Sequence, residues 1–347
     1  MTRLRRSQPA KPGIVRRRSG RGFRYLLPDG QAVADVETRR RIDALVIPPA
    51  WTDVWISPYP NGHIQALGTD QAGRRQYLYH ADWQSRRHEE KFARMLRFAG
   101  KLPAARSIVA EQLDATGMSR ERVLAAAFRM LDLGHFRIGG EAYAADNGSY
   151  GLSTLLREHV RREGAQLVFS YTAKSGLDHE ERIADPDLLE VVSGLRRRRS
   201  GPDTLLAYRE GGSWRRLTGA DVNGFVKDVT GLDVSAKDFR TWHGTDIAAV
   251  ALAEELRRHD ADRPWTDAAR RRAVTNAVRE TSERLGNTPA VARSAYVDPR
   301  VIDLFARDIT VAPAVRRVRR SLDVSADEIA AIAATPTVER AVLKLLR

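Results

Sequence analysis

"RRQYLYHADWQSRRHEEKFARMLRFAGKL", Arg74 to Leu102, changes period partway along. Its first six residues alternate as a strand does, placing Gln76 and Leu78 on one face and Tyr77 and Tyr79 on the other. After "HADW" the apolar residues return at three- and four-residue spacing, the signature of a helix with one buried stripe. A chain that passes from one period to the other leaves a sheet and enters a helical body. We therefore place a boundary near residue 90, between a small β-rich domain (1–90) and a larger, mainly helical one (91–347). The fold class is α+β.

Upstream, "GFRYLLPDGQAV" and "WTDVWISPYPNGHIQALGTDQAG" are short β-rich runs cut by Pro-Asp-Gly and Pro-Asn-Gly turns. Residues 1–22 are basic and contain Pro, Gly and Ser, so they read as a flexible arm suited to phosphate contact. Downstream, "SRERVLAAAFRMLDLG" and "GLSTLLREHVRREG" read as helices. "AQLVFSYTAKSGLDHEERIA" then reads as strand, turn, strand, with Lys174 in the turn. Helices resume: Ser235 and Asp238 stand at capping-box spacing, Gly286 reads as a helix stop, and two further helices follow Ser325 and begin at Pro336.

Lys and Arg number 58 against 44 Asp and Glu, a net charge of +14. A surface so biased steers and holds phosphate backbones, which points to a polyanionic partner such as nucleic acid. With no cysteine there is no disulfide, thiolate metal site or thiol nucleophile. No apolar run reaches membrane-spanning length, and the N-terminus lacks the apolar middle of a signal peptide, so a cytoplasmic location is expected. The chain carries no Gly-rich nucleotide loop, and its eight His lack metal-ligand spacing. Asp185-Pro186-Asp187 and Asp260-Ala261-Asp262 read as a helix cap and an exposed turn rather than ion sites. We expect no cofactor. Phosphodiester chemistry on such a chain falls to Arg and Lys, which neutralise the transition state, and to a side-chain nucleophile.

The candidates lie in order: Arg137 in "FRIGGEAY", Lys174 in "SYTAKSG", Lys237 and Arg240 in "KDFRTWHGT", and Tyr296 in "SAYVDP". Together they resemble the type IB DNA topoisomerases of the small poxvirus and bacterial form. The resemblance covers most of the chain and implies two domains that close as a C-shaped clamp, with the protein acting as a monomer on double-stranded DNA of the nucleoid. It implies that Tyr296 attacks a backbone phosphorus, giving a 3′-phosphotyrosyl link and a free 5′-hydroxyl. Arg137 and Arg240 hold the nonbridging oxygens, Lys174 protonates the departing 5′ oxygen, and Lys237 assists. Neither ATP nor metal is required. Where the family commonly has histidine, this chain has Asn287, which donates a hydrogen bond without charge. The "RRQYLY" strand is similar to the family's DNA-contacting strand, which makes Arg74, Arg75, Gln76, Tyr77 and Tyr79 candidate DNA contacts, with Tyr143 a further one. Two other classes share part of this pattern: a tyrosine site-specific recombinase, which usually has His-x-x-Arg where this chain has Lys237-x-x-Arg240, and a noncatalytic DNA-binding protein.

Overall fold

In the computed structural model, which describes residues 3–141, 144, 147–174, 176–259, 264–322 and 329–347, the alternating N-terminal runs pair as strands. Strand β1 (Ile14–Ser19) turns back into β2 (Gly22–Leu26). Helix α1 (Val36–Ala44) follows, capped by Asp35, then β3 (Thr52–Ile56), β4 (Ile64–Thr69) and β5 (Arg75–Tyr79). These make one antiparallel sheet in the order β2-β1-β3-β4-β5. Its core is Ile14, Val54, Ile56 and Ala66, covered by Ile42 of α1 and by Val33 and Ile47.

The flexible arm expected over residues 1–22 is a correction where the structure describes it, because Ile14–Ser19 is strand and two of its arginines are held by the fold. Arg16 is buried in β1 and donates to the carbonyls of Ile47 (3.2 Å), Pro48 (3.1 Å) and Trp51 (2.6 Å). Arg5 exchanges backbone hydrogen bonds with Asn61 and His63, and its guanidinium lies 3.6 Å over the Tyr59 ring. A guanidinium that satisfies three carbonyls and stacks on aromatic faces is a packing residue, despite the composition around it.

The chain divides into units of residues 1–91 and 92–347. The second unit contains most of helix α2 (Ala81–Leu113) and the buried α3 (Arg120–Gly134). Next come two single 3₁₀ turns, Leu152–Thr154 and Arg157–His159, and a three-stranded sheet β6-β7-β8 (Val160–Glu163, Gln166–Ala173, Leu177–Ile183). Helix α4 (Pro186–Arg197) starts at the Asp185 cap read from the sequence. A hairpin of β9 (Ala207–Glu210) and β10 (Ser213–Arg216) follows, which the helical reading of this region missed. Among the described residues the chain continues with helices α5 (Gly219–Thr230), α6 (Ala236–Arg258), α7 (Asp267–Arg284), α8 (Pro289–Ala295), α9 (Pro299–Phe305), α10 (Ala312–Leu322), α11 (Ile329–Ala333) and α12 (Pro336–Leu346). The Asp260-Ala261-Asp262 turn and the helix start at Ser325 lie outside the described residues. Among the described residues no helix is long and apolar enough to cross a membrane.

The stretch 151–164 is also a correction. Leu152 and Leu155 are both buried, and a 3₁₀ turn places residues three apart on one side as well as an α-helix does. Beyond them Val160 pairs with Phe169, so the remainder is strand β6, closed by a left-handed Gly164.

Helix α6 is the centre of this unit. Every residue from Asp238 to Glu254 is buried, and Phe239 packs edge-on against Phe98 (4.8 Å) and Phe128 (5.0 Å). A helix buried all round must find partners for its polar side chains inside the fold or leave them unpaired at a cost. Those of α6 are Asp238, Arg240, Thr241, His243, Thr245, Asp246 and Glu254.

Candidate active site

Two helix ends meet beside α6. Helix α3 stops at Gly134, and His135 takes the left-handed conformation (φ 53°). Helix α7 stops at Leu285 and Gly286 does the same (φ 57°). At the second end the Gly286 N–H donates to Glu283 O (3.1 Å) and the Asn287 N–H to Ser282 O (2.9 Å), the paired bonds of a Schellman motif. The last carbonyls of a helix lack intrahelical donors and carry partial negative charge, so they suit cations. Arg240 uses both ends: its guanidinium donates to the His135 carbonyl and to that of Leu285 (2.6 Å). Arg137, three residues past the end of α3, donates to the Gly286 carbonyl (2.6 Å) and to Asn287 Oδ1 (2.6 Å). One turn, Leu285–Gly286–Asn287, thus holds both guanidiniums. The Arg240 Nε and Asn287 Nδ2 donors are buried and have no hydrogen-bond partner.

Tyr296 ends helix α8, whose start is capped by Thr288. Its N–H donates to Ala292 O (2.9 Å), and its ring lies 5.0 Å from the Arg240 Cζ. Thr245 of α6 fixes the segment from beneath, donating to the Tyr296 carbonyl (3.0 Å) and accepting from the Asp298 N–H (3.1 Å). This approach needs Gly244, since a Cβ there would stand 2.9 Å from the Tyr296 Cβ. Partial burial of the phenol opposes its ionisation. The charge and hydrogen bond of Arg240, with the charges of Arg137 and Lys237, outweigh that effect and hold its pKa below the ordinary tyrosine value.

Lys237 is exposed on the first turn of α6, three residues before Arg240. Lys174 is exposed in the β7–β8 turn and borders, with Arg137, Gly139, Gly140, Ser149 and Tyr150, a cavity of about 200 Å³. Arg137, Arg240, Asn287 and Tyr296 are thereby in one cluster, with Lys174 across the Arg137 cavity and Lys237 acting on the Tyr296 phenol through its charge.

Beneath α6 lies a buried ionic network. Arg106 donates pairwise to Asp132 (2.7 and 2.9 Å) and to Glu339 (2.6 and 2.7 Å). His243 Nε2 lies 3.4 Å from Asp132, and its ring stands edge-on to His135 at 5.2 Å. This braces the His135 carbonyl that receives Arg240. The sequence alone does not single out His243, Gly244, Thr245, Asp132 or Arg106. Their spacing carries no signal, because each meets a partner far along the chain.

In the first unit, β5 sorts its residues. Arg75, Tyr77 and Tyr79 are exposed, and the two tyrosine rings stack at 6.0 Å. Leu78 packs on the core, and Gln76 lies on that same side, its amide donating to Asp70 (2.8 Å). Arg74 pairs with Asp70 as well (2.9 Å). The Arg74 backbone N–H, then the Gln76 and Arg74 side chains, outweigh desolvation and hold the Asp70 carboxyl down to about 2. Tyr143 lies outside the described residues.

With this arrangement in view, comparison with known proteins is specific. The model of the bacterial DNA topoisomerase IB N-terminal domain matches residues 22–70, and that of the eukaryotic DNA topoisomerase I catalytic core matches residues 80–310. The DNA topoisomerase 1B of Acanthamoeba polyphaga mimivirus is 30% identical over 298 residues, covering 84% of this chain and 87% of the viral protein. DNA topoisomerase 1 of rabbit fibroma virus is 23% identical, over 81% of this chain and 84% of its own. DNA topoisomerase 1B of vaccinia virus is 21% identical over 69% and 71%. The core match alone spans most of the chain and contains the whole Arg137–Tyr296 cluster, so the chain belongs to the type IB DNA topoisomerases.

Proposed function

We propose that the chain relaxes supercoiled double-stranded DNA by reversible transesterification at Tyr296, acting as a monomer on DNA of the nucleoid in the cytoplasm. The Tyr296 phenolate attacks a backbone phosphorus, the P–O5′ bond breaks, and the 5′ oxygen takes a proton from Lys174. The nicked strand rotates. The 5′-hydroxyl then attacks the 3′-phosphotyrosyl link and Tyr296 leaves. Each step replaces one phosphodiester with another, so the cycle needs no ATP, and Arg137, Arg240 and the lysines take the charge-neutralising part that a metal ion would otherwise play. Arg137 and Arg240, each already fixed by helix-end carbonyls, present their remaining N–H groups to the nonbridging oxygens. Asn287 Nδ2 adds a neutral donor, and Lys237 raises the local positive charge. On the small unit Arg75, Tyr77 and Tyr79 meet the duplex from the open face of β5, while Arg74 and Gln76 reach it after parting from Asp70.

The observation that carries this reading is a half-buried phenol held ionisable by the same guanidinium that stands over its ring. Tyr296→Phe should bind DNA with unchanged affinity, yet give no relaxation of negatively supercoiled plasmid in EDTA without ATP and no SDS-trapped adduct. A Phe variant that still relaxes plasmid would remove Tyr296 as nucleophile. Wild-type protein that yields multimers or resolved sites instead of topoisomer ladders would favour a recombinase.

A further inference from the structure

The turn that holds both guanidiniums is itself braced by a strand. His179, on β8, places its ring edge against Gly286: Nδ1 and Cε1 lie 3.3 and 3.6 Å from where a Gly286 Cβ would stand. The imidazole is only 17% exposed, and its Nε2 is 3.7 Å from the Glu181 carboxylate. Its other face meets Tyr171, the residue paired with it across β7–β8, edge-on at 5.3 Å. Two further pairs, Thr172 with Asp178 and Ala173 with Leu177, lead from this contact to the turn that carries Lys174. The hairpin bearing the lysine therefore touches the turn bearing the arginine acceptors through one imidazole.

We propose that His179 is a positioning residue, setting the β7–β8 hairpin so that Lys174 meets the 5′ oxygen of a phosphate gripped by Arg137 and Arg240. This rests on the reading of Lys174 as proton donor. A two-stranded hairpin is a stiff lever. At about 3.3 Å per residue the lysine lies roughly 10–15 Å beyond the contact, so a tilt of about 5° displaces it by about 1 Å. An error of that size costs a reacting pair on the order of 100-fold. A side chain that merely filled space would slow every step it touched alike, whereas one that aims the proton donor matters only when a proton must be delivered.

The test uses the full chain and one duplex, prepared with ordinary oxygen or with sulfur at the 5′-bridging position of the main cleavage site. Sulfur leaves without protonation. His179→Ala should cleave the oxygen duplex about 10-fold or more slowly than wild type and the sulfur duplex within about 3-fold. His179→Phe, which restores a ring against Gly286, should recover most of the oxygen rate. DNA affinity measured on each variant confirms that it is folded. Equal slowing on both duplexes, or none on either, overturns the proposal. Lys174→Ala run alongside separates the two levels: if sulfur does not rescue it, the proton-donor reading fails and the proposal falls with it, whereas rescue of Lys174→Ala without rescue of His179→Ala refutes the positioning role alone.

Discussion

Gly244→Ala is the smallest change that should disable this enzyme without unfolding it. A Cβ at Gly244 would stand 2.9 Å from the Tyr296 Cβ, 3.0 Å from its carbonyl oxygen and 3.0 Å from Leu285 Cδ1. Carbon atoms settle at about 3.5–4.0 Å, so α6 and the tyrosine segment must part by about 0.5–1 Å. Alanine favours the helix by about 1 kcal/mol, while overpacking costs about 1–3 kcal/mol. The net loss of stability is thus no more than about 2 kcal/mol, and the variant folds. Under the proposed mechanism Tyr296 is the nucleophile, and displacing it by up to 1 Å costs on the order of 100-fold in rate. Leu285 moves with it, and its carbonyl is one of the two that hold Arg240. Single-turnover formation of the covalent adduct on a duplex that releases its short leaving strand should therefore slow about 100-fold, with DNA affinity unchanged and a small drop in Tm. Cleavage within about 3-fold of wild type in a variant of lowered Tm would show that the Tyr296 backbone has slack, and the close fit to α6 would lose its catalytic meaning.

Two further outcomes follow from titrating groups. Cations favour the phenolate, so the single-turnover cleavage rate should rise with pH through an apparent pKa below the ordinary tyrosine value of about 10. Arg240→Gln should move that limb to higher pH; a limb that stays in place would mean that another group titrates. The second concerns Asp246, buried on α6 with neither carboxyl oxygen hydrogen-bonded. Burial, then the charge of Glu339, raises its pKa well above the ordinary value, against a smaller lowering by Arg106. A raised folded pKa gives stability that is full below the unfolded pKa and is lost as pH rises through the folded one. Asp246→Asn should then raise Tm most at alkaline pH and least in acid. Melting curves from about pH 5 to 9 check this, and a gain independent of pH contradicts it.

The parts of this fold that could be read from sequence are those whose cause is local. Ser235 and Asp238 form the capping box their spacing suggests, the Ser235 N–H donating to the Asp238 carboxylate at 2.9 Å. Gly286 ends its helix in the left-handed region, and Pro336 opens another. Such features depend on a side chain and backbone within a few residues. Reading fails where a distant partner decides. Arg16 looks like one charge in a solvated run, yet carbonyls more than thirty residues away bury it. Leu152 and Leu155 have helical spacing, yet Phe169 of the next strand draws the chain after them into a sheet. The site divides in the same way. Arg137, Lys174, Arg240 and Tyr296 could be picked out as an ordered set, whereas Thr245, Gly244 and His179 are ordinary residues until α6, α8 and β8 are brought together.

Asn287 shows why such a set still needs geometry. Arginine only donates, so the amide oxygen of Asn287 must be the atom that faces Arg137 at 2.6 Å, and this leaves Nδ2 as the buried donor without a partner. One side chain therefore orients a guanidinium with one atom and offers a hydrogen bond with the other. A histidine could do both only as the neutral imidazole in one tautomer, because the imidazolium has no acceptor left for Arg137. In exchange it would gain a charge for the phosphate when protonated. The amide gives up that charge and keeps both functions at every pH, so under the proposed mechanism the electrostatic work falls on the guanidiniums and lysines. That fits a site in which the two arginines are fixed by backbone carbonyls, acceptors that do not titrate.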